Sequence, residues 1–172
     1  MSLTSESPGQ GADPEELAHG IALRLLTARA RTQGEIVEAF RRRNVPEEAS
    51  AAVLARLTEV GLIDDAEFAR SWVASRQYRR NLSRTVLRQE LRGKGIAEEV
   101  IADAVAEISA DDEFNAARVL AEKKARSMRG LDATVQRRRL AAAMGRRGFA
   151  AGVVASVLRD LDLDGRDEAD SV

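Results

Sequence analysis

The apolar and polar positions of this chain repeat one local arrangement three times. It reads apolar, two residues, Arg or Lys, Asn or Gly, apolar. The copies are Phe40-Arg41-Arg42-Arg43-Asn44-Val45, Leu91-Arg92-Gly93-Lys94-Gly95-Ile96 and Met144-Gly145-Arg146-Arg147-Gly148-Phe149. A cation in the last turn, then a residue that tolerates a left-handed backbone, is the chemistry of a helix end. Further apolar residues follow each turn at +9 and +12: Leu54 and Leu57, Val105 and Ile108, Leu158 and Leu161. Val45, Ile96 and Phe149 are spaced by 51 and 53 residues. A helix-turn-helix recurring at a near-fixed period is the signature of a repeat protein. It directs attention to an extended binding surface rather than a catalytic pocket.

Start signals complete the segmentation. Asp13-Pro14-Glu15-Glu16, Thr32-Gln33-Gly34-Glu35 and Pro46-Glu47-Glu48 open three helices of a first unit, with Leu17, Ile21, Leu25 or the neighbouring Leu23 and Leu26, then Ile36, Val37, Phe40, Val53, Leu54 and Leu57 as inward candidates and Gly61 as the closing cap. Asp64 and Glu67 form the next capping box, with Ile63 placed to staple onto Phe68. Phe68, Trp72 and Val73 then share a face, so Phe68 and Trp72 are expected in the core together with Leu91 and Ile96. Ser83 opens the following helix. The third unit places Phe114, Ala117, Val119 and Leu120 on its first helix, opens its second at Asp132, and carries Val153, Val154, Val157 and Leu158 on its third. No segment alternates long enough for a sheet. The expectation is an all-α chain of three tandem three-helix, helix-turn-helix repeats, at 13–62, 63–109 and 110–161, forming an elongated, curved body between acidic tails at 1–12 and 162–172 that read as disordered.

Composition narrows the chemistry. Aromatic residues are 3% of the chain and charged residues 32%, so Ala, Leu and Val must supply the core. There is no cysteine and a single histidine, His19, which leaves no metal-ligand or nucleophile constellation. Gly93-Lys94-Gly95 lacks the rest of a phosphate-binding loop. Asp64-Asp65 and Asp111-Asp112-Glu113 sit at helix starts, where capping explains them. Neither a cofactor, a metal nor a catalytic residue is expected. No apolar run reaches the roughly 18 residues of a membrane span, and residues 1–10 do not read as a signal peptide, so a cytoplasmic, monomeric protein is the default expectation.

The net charge of −1 conceals an asymmetry. Residues 1–17 carry four acids and no base, and residues 159–172 six acids and two bases, which leaves +7 for 18–158. Arg70 to Lys94 holds eight cations and one anion, and Arg118 to Arg147 ten cations and two anions. Arg84, Arg88 and Arg92 follow at four-residue steps on one helical face, after Arg76, Tyr78, Arg79 and Arg80. Unmatched guanidinium groups repel one another unless an anionic partner is present, and Tyr78 adds a ring that could stack on a base. The bland alternative is a solvated cationic face. Candidate contacts to nucleic acid or to an acidic protein surface are Arg70, Arg76, Tyr78, Arg79, Arg80, Arg84, Arg88 and Lys94, then Lys123, Lys124, Arg146 and Arg147. Charge alone does not choose between these partners.

Gly61-Leu62-Ile63-Asp64-Asp65-Ala66-Glu67-Phe68-Ala69-Arg70, followed by Trp72 and Arg76, resembles the signature of the RecX family of bacterial recombinase regulators. The Leu91–Ile96 and Arg146–Phe149 segments are similar to that family's motifs, in the same order across residues 18–161. The resemblance implies three homeodomain-like bundles and a non-enzymatic role: binding the RecA–DNA filament and lowering its ATPase, strand-exchange and co-protease activities. Weak, salt-dependent binding to single- and double-stranded DNA is the accompanying expectation. Asn44 in place of Gly at the first turn departs from the pattern. A helix-turn-helix transcriptional regulator is the competing reading, although Ser83-Arg84-Thr85 and Thr32-Gln33-Gly34 offer little patterning for base edges.

Overall fold

The computed structural model describes residues 13–161, apart from the side chain of Tyr78; the two acidic tails lie outside the described residues. Among the described residues there are nine helices and no strand. They are α1 (Pro14–Ala28), α2 (Gln33–Arg41), α3 (Glu47–Glu59), α4 (Asp65–Arg80), α5 (Arg84–Arg92), α6 (Glu98–Ala106), α7 (Ala110–Arg126), α8 (Ala133–Arg146) and α9 (Ala151–Asp160). The chain divides into two compact units, the first ending at Phe68 and the second beginning at Ala69.

The repeated turn is the same backbone object three times. Asn44, Gly95 and Gly148 have φ of 53°, 75° and 77°. Val45 N donates to the Phe40 carbonyl at 3.1 Å, and Ile96 and Phe149 do the same to Leu91 and Met144 at 3.3 Å each. These bonds satisfy carbonyls that a helix end otherwise leaves orphaned. Phe40, Leu91 and Met144, the residues that open the turns, are all buried. At +12, Leu57, Ile108 and Leu161 are buried as well. The third repeat shifts by one position, since Val157 is fully buried and Leu158 only half.

In the first unit Asp13 accepts from Glu15 N at 3.0 Å and Thr32 Oγ1 from Glu35 N at 3.1 Å, which sets the starts of α1 and α2. The core gathers Ala18, Ile21, Ala22, Ile36, Phe40, Val53, Leu54, Leu57 and Ile63. Leu17, expected inward, is 44% exposed, and of the alternatives Leu25 is half-buried while Leu23 is 37% exposed. Alanines take their place, because α1 lies close enough to its neighbours for Ala18 and Ala22 to fill the contact. Asp65 Oδ1 also accepts from Gln33 N at 2.8 Å, so it caps a helix remote in sequence as well as opening its own.

The second unit holds α4–α9. Ser109 and Asp112 make a full capping box at the start of α7, and Asp132 Oδ1 accepts from Thr134 N and Val135 N at the start of α8. The third-repeat core collects Ala116, Ala117, Leu120, Ala121, Ala125, Leu140, Met144, Phe149, Val157 and Leu161. Val119, on the same helix as Ala117 and Leu120, is 44% exposed. Leu91 and Ile96 are buried in the second repeat. Phe68 and Trp72 are half-buried, which corrects their placement in the core.

Candidate nucleic-acid interface

The basic surface separates into cations that pair with carboxylates and cations that do not. Trp72 sits among the first group. Its indole N–H donates to Glu90 Oε2 at 2.8 Å, Arg76 lies over its ring at 4.1 Å and Lys94 at 4.2 Å from the centroid. Arg76 Nε is also 3.5 Å from Glu90 Oε2. Two cations on one indole exploit the negative face of the ring, and the carboxylate offsets their repulsion. The side chain thus sits at the border between α4 and α5 instead of beneath it. Glu90 is the one anion between Arg70 and Lys94, and that isolation was the sequence signal for its organising role.

Arg84, a candidate contact in the sequence, is only partly exposed. Its guanidinium donates through Nη2 to the Ile108 carbonyl, and Nε lies 3.5 Å from Glu113 Oε2, an ion-pair distance without an aligned hydrogen bond. The Arg84 backbone N–H donates to Glu113 Oε1 at 3.2 Å. This side chain therefore ties the start of α5 to the corner between α6 and α7. Arg92 pairs with Glu98 at 2.7 Å and 2.8 Å. That contact, a hydrogen bond first and charge second, holds the Glu98 carboxyl below the usual carboxylate range, with Arg88 adding a smaller share. The expectation that the arginine face of α5 lacks acids is overturned: the acids come from α6 and α7.

The second group converges elsewhere. Asn81, at φ 48°, ends α4 in a left-handed conformation. Leu82 and Ser83 then run buried into α5. Around this corner Arg79, Arg80, Asn81 and Leu82 from the second repeat meet Leu120, Lys123 and Arg147 from the third, lining a cleft of ≈ 340 Å³. Arg147 Nη1 donates to the Arg80 carbonyl at 2.7 Å, fixing one wall. Gly148 seats the turn beside it, since a Cβ there would lie 2.6 Å from Ser83 Oγ and 2.9 Å from Val86 Cγ2. Arg79, Arg80 and Lys123 are exposed, and none of the four cations has an ion pair among the described residues.

Of the other candidates, Arg70, Lys124 and Arg146 are exposed away from the cleft lining, and Arg88 is half-buried. The Tyr78 ring lies outside the described residues. A wider groove of ≈ 840 Å³ in the first unit, between α2 and α3, is lined by Arg41 together with Glu47 and Glu59 over Val37, Ala51 and Leu54, so its carboxylates outnumber its cation and it does not attract an anion. The described residues contain no cluster of three metal-ligating side chains, and none of their helices is long and apolar enough to cross a membrane.

Residues 18–57, 64–105 and 111–158 match the first, second and third three-helix domains of RecX respectively. The chain is 44% identical over 156 residues to "Regulatory protein RecX" of Streptomyces coelicolor, covering 90% of this chain and 83% of that one. It is 42% identical to the protein of the same name from Thermobifida fusca, over 89% of this chain and 84% of that one. A crystal structure of RecX from Lactobacillus salivarius superposes with a TM-score of 0.82 at 22% identity, over 89% of this chain and 99% of that one, a likeness of fold. A second, titled as regulatory protein RecX, gives 0.77 at 25% identity, over 90% and 81%.

Proposed function

The chain belongs to the RecX family, and on that premise we propose that it binds the RecA–DNA filament and lowers its ATPase, strand-exchange and co-protease activities. The contact runs through the cleft between the second and third repeats. The observation that carries the reading is the convergence of Arg79, Arg80, Lys123 and Arg147 on that cleft, where none of them has an ion pair among the described residues. Four positive charges held together raise the local potential, and a polyanion relieves it by releasing its condensed counterions on binding. A protein clamped across a filament lowers hydrolysis if it binds one filament state in preference to those that hydrolysis must visit. Nucleic acid and filament binding are thus electrostatic, weak and salt-dependent, and the protein acts in the cytoplasm without a cofactor.

The test is ATP hydrolysis by a RecA filament on single-stranded DNA as the protein is titrated in. The expected result is a saturable fall in rate, shifted to higher protein concentration by Arg79→Gln/Arg80→Gln/Lys123→Gln. A rate unchanged at saturation contradicts the reading.

A further inference from the structure

We propose that the acidic segment following α9, residues 162–172, occupies the same cleft when no nucleic acid is bound and competes with phosphates for it. The inference rests on the reading of the cleft as an anion site. The segment carries Asp162, Asp164, Asp167, Glu168 and Asp170 against the single base Arg166. Elsewhere in the second unit Arg76, Arg84, Arg92 and Arg118 already hold Glu90, Glu113, Glu98 and Glu122. In the cleft four converging cations have no ion pair among the described residues, so it attracts a tethered anionic peptide.

Reach permits the contact. The segment is anchored at Leu161, which is buried in the third-repeat core. Helix α9 has 10 residues, about 15 Å of rise, and starts four residues after Arg147, one of the cleft's own walls. The 11 residues from 162 to 172 span up to about 36 Å when extended. From the far end of α9, Asp162 and Asp164 lie too close to the anchor to cover that rise, and Asp167, Glu168 and Asp170, with about 20–30 Å of extended chain, are the acids that reach Arg147. Tethering makes the encounter intramolecular, so modest pairwise attraction gives substantial occupancy at low salt.

A water-soluble carbodiimide tests this in the full chain, because it joins a carboxylate to a lysine amine in contact with it as an amide, with net loss of water. At low salt the expected product links Lys123 to a carboxylate between 167 and 170. It is lost at high salt and in Arg79→Gln/Arg80→Gln, which keeps Lys123. In parallel, replacing the four aspartates of the segment by Asn and Glu168 by Gln raises affinity for a fluorescein-labelled oligo-dT about three- to tenfold at low salt, and leaves it unchanged at high salt. The proposal is overturned if Lys123 cross-links no more than the exposed Lys124 and the neutralised segment leaves oligo-dT affinity unchanged. A specific Lys123 cross-link in a protein that does not bind oligo-dT upholds the segment's docking and sinks the nucleic-acid reading instead.

Discussion

The arginines of α5 and the cations of the cleft belong to the same two-repeat unit, are equally basic in sequence, and have opposite fates. Arg84 and Arg92 each hold a glutamate, and Arg88 faces the charge of Glu98. Arg79, Arg80 and Lys123, around the corner, hold none among the described residues. A count of charges treats the two groups alike. A count of partners separates a surface whose charges are largely paired from one that attracts a polyanion, and the second gains more by counterion release.

The sharpest way to break this comparison is to damage the junction that shapes the cleft. Gly148 needs a left-handed backbone and has Ser83 and Val86 against it. Gly148→Ala is expected to destabilise the second unit by about 2–4 kcal/mol, the sum of left-handed strain and overpacking. At the equivalent first turn Asn44 has the same conformation and is exposed, so Asn44→Gly is expected to shift stability by less than about 1 kcal/mol. Thermal unfolding of both variants checks the contrast, and equal shifts would show that the repeat junction does not constrain the turn.

Arg84→Ala comes next. It leaves the Ile108 carbonyl and the Glu113 carboxylate without their cation and is expected to cost about 2–3 kcal/mol while changing DNA affinity little. Denaturant midpoints read the first part and anisotropy the second. A stable variant with lost affinity would return Arg84 to the binding face.

The smallest effect is on pH dependence. Hydrogen bonds from the Ser109 hydroxyl and backbone hold the Asp112 carboxyl below its ordinary value, so its stabilisation is present above about pH 4 and is lost as the pH falls through the lowered value. Asp65 differs: burial pushes its carboxyl up despite the Gln33 N–H, so its ionisation works against folding as the pH rises above the ordinary carboxylate value. Asp112→Asn is expected to lower the unfolding temperature at neutral pH and converge with the parent in acid. Asp65→Asn is expected to differ from the parent in the opposite sense with pH. Parallel pH profiles would contradict both assignments.

Much of the fold was legible because it is local. A turn set by six consecutive residues shows itself in sequence, and so do the caps at Asp13, Thr32, Ser83 and Asp132. Contacts at long separation were not legible. Arg84 meets Glu113 from 29 residues away and Arg147 meets the Arg80 carbonyl from 67, so helical periodicity could not divide committed from uncommitted arginines. Trp72 reads as core because it shares a face with Phe68 and Val73, and only the arrival of Glu90 from α5 and Lys94 from the turn after it reveals a half-buried ring between charges. Arg79, Arg80, Lys123 and Arg147 were all candidates in the sequence, but their convergence needed the fold.

The most direct test of the cleft as the binding face is the salt dependence of oligo-dT affinity, by anisotropy, for two triple variants: Arg79→Gln/Arg80→Gln/Lys123→Gln and Arg88→Gln/Arg92→Gln/Lys124→Gln. Both remove three charges. The cleft variant is expected to lose affinity at low salt and to flatten the log–log salt slope by about 2, at about 0.7 per lost contact on a single strand. The second is expected to keep the parent's slope to within about one contact. Equal losses in the two variants would show that net charge alone, and not the cleft, governs binding.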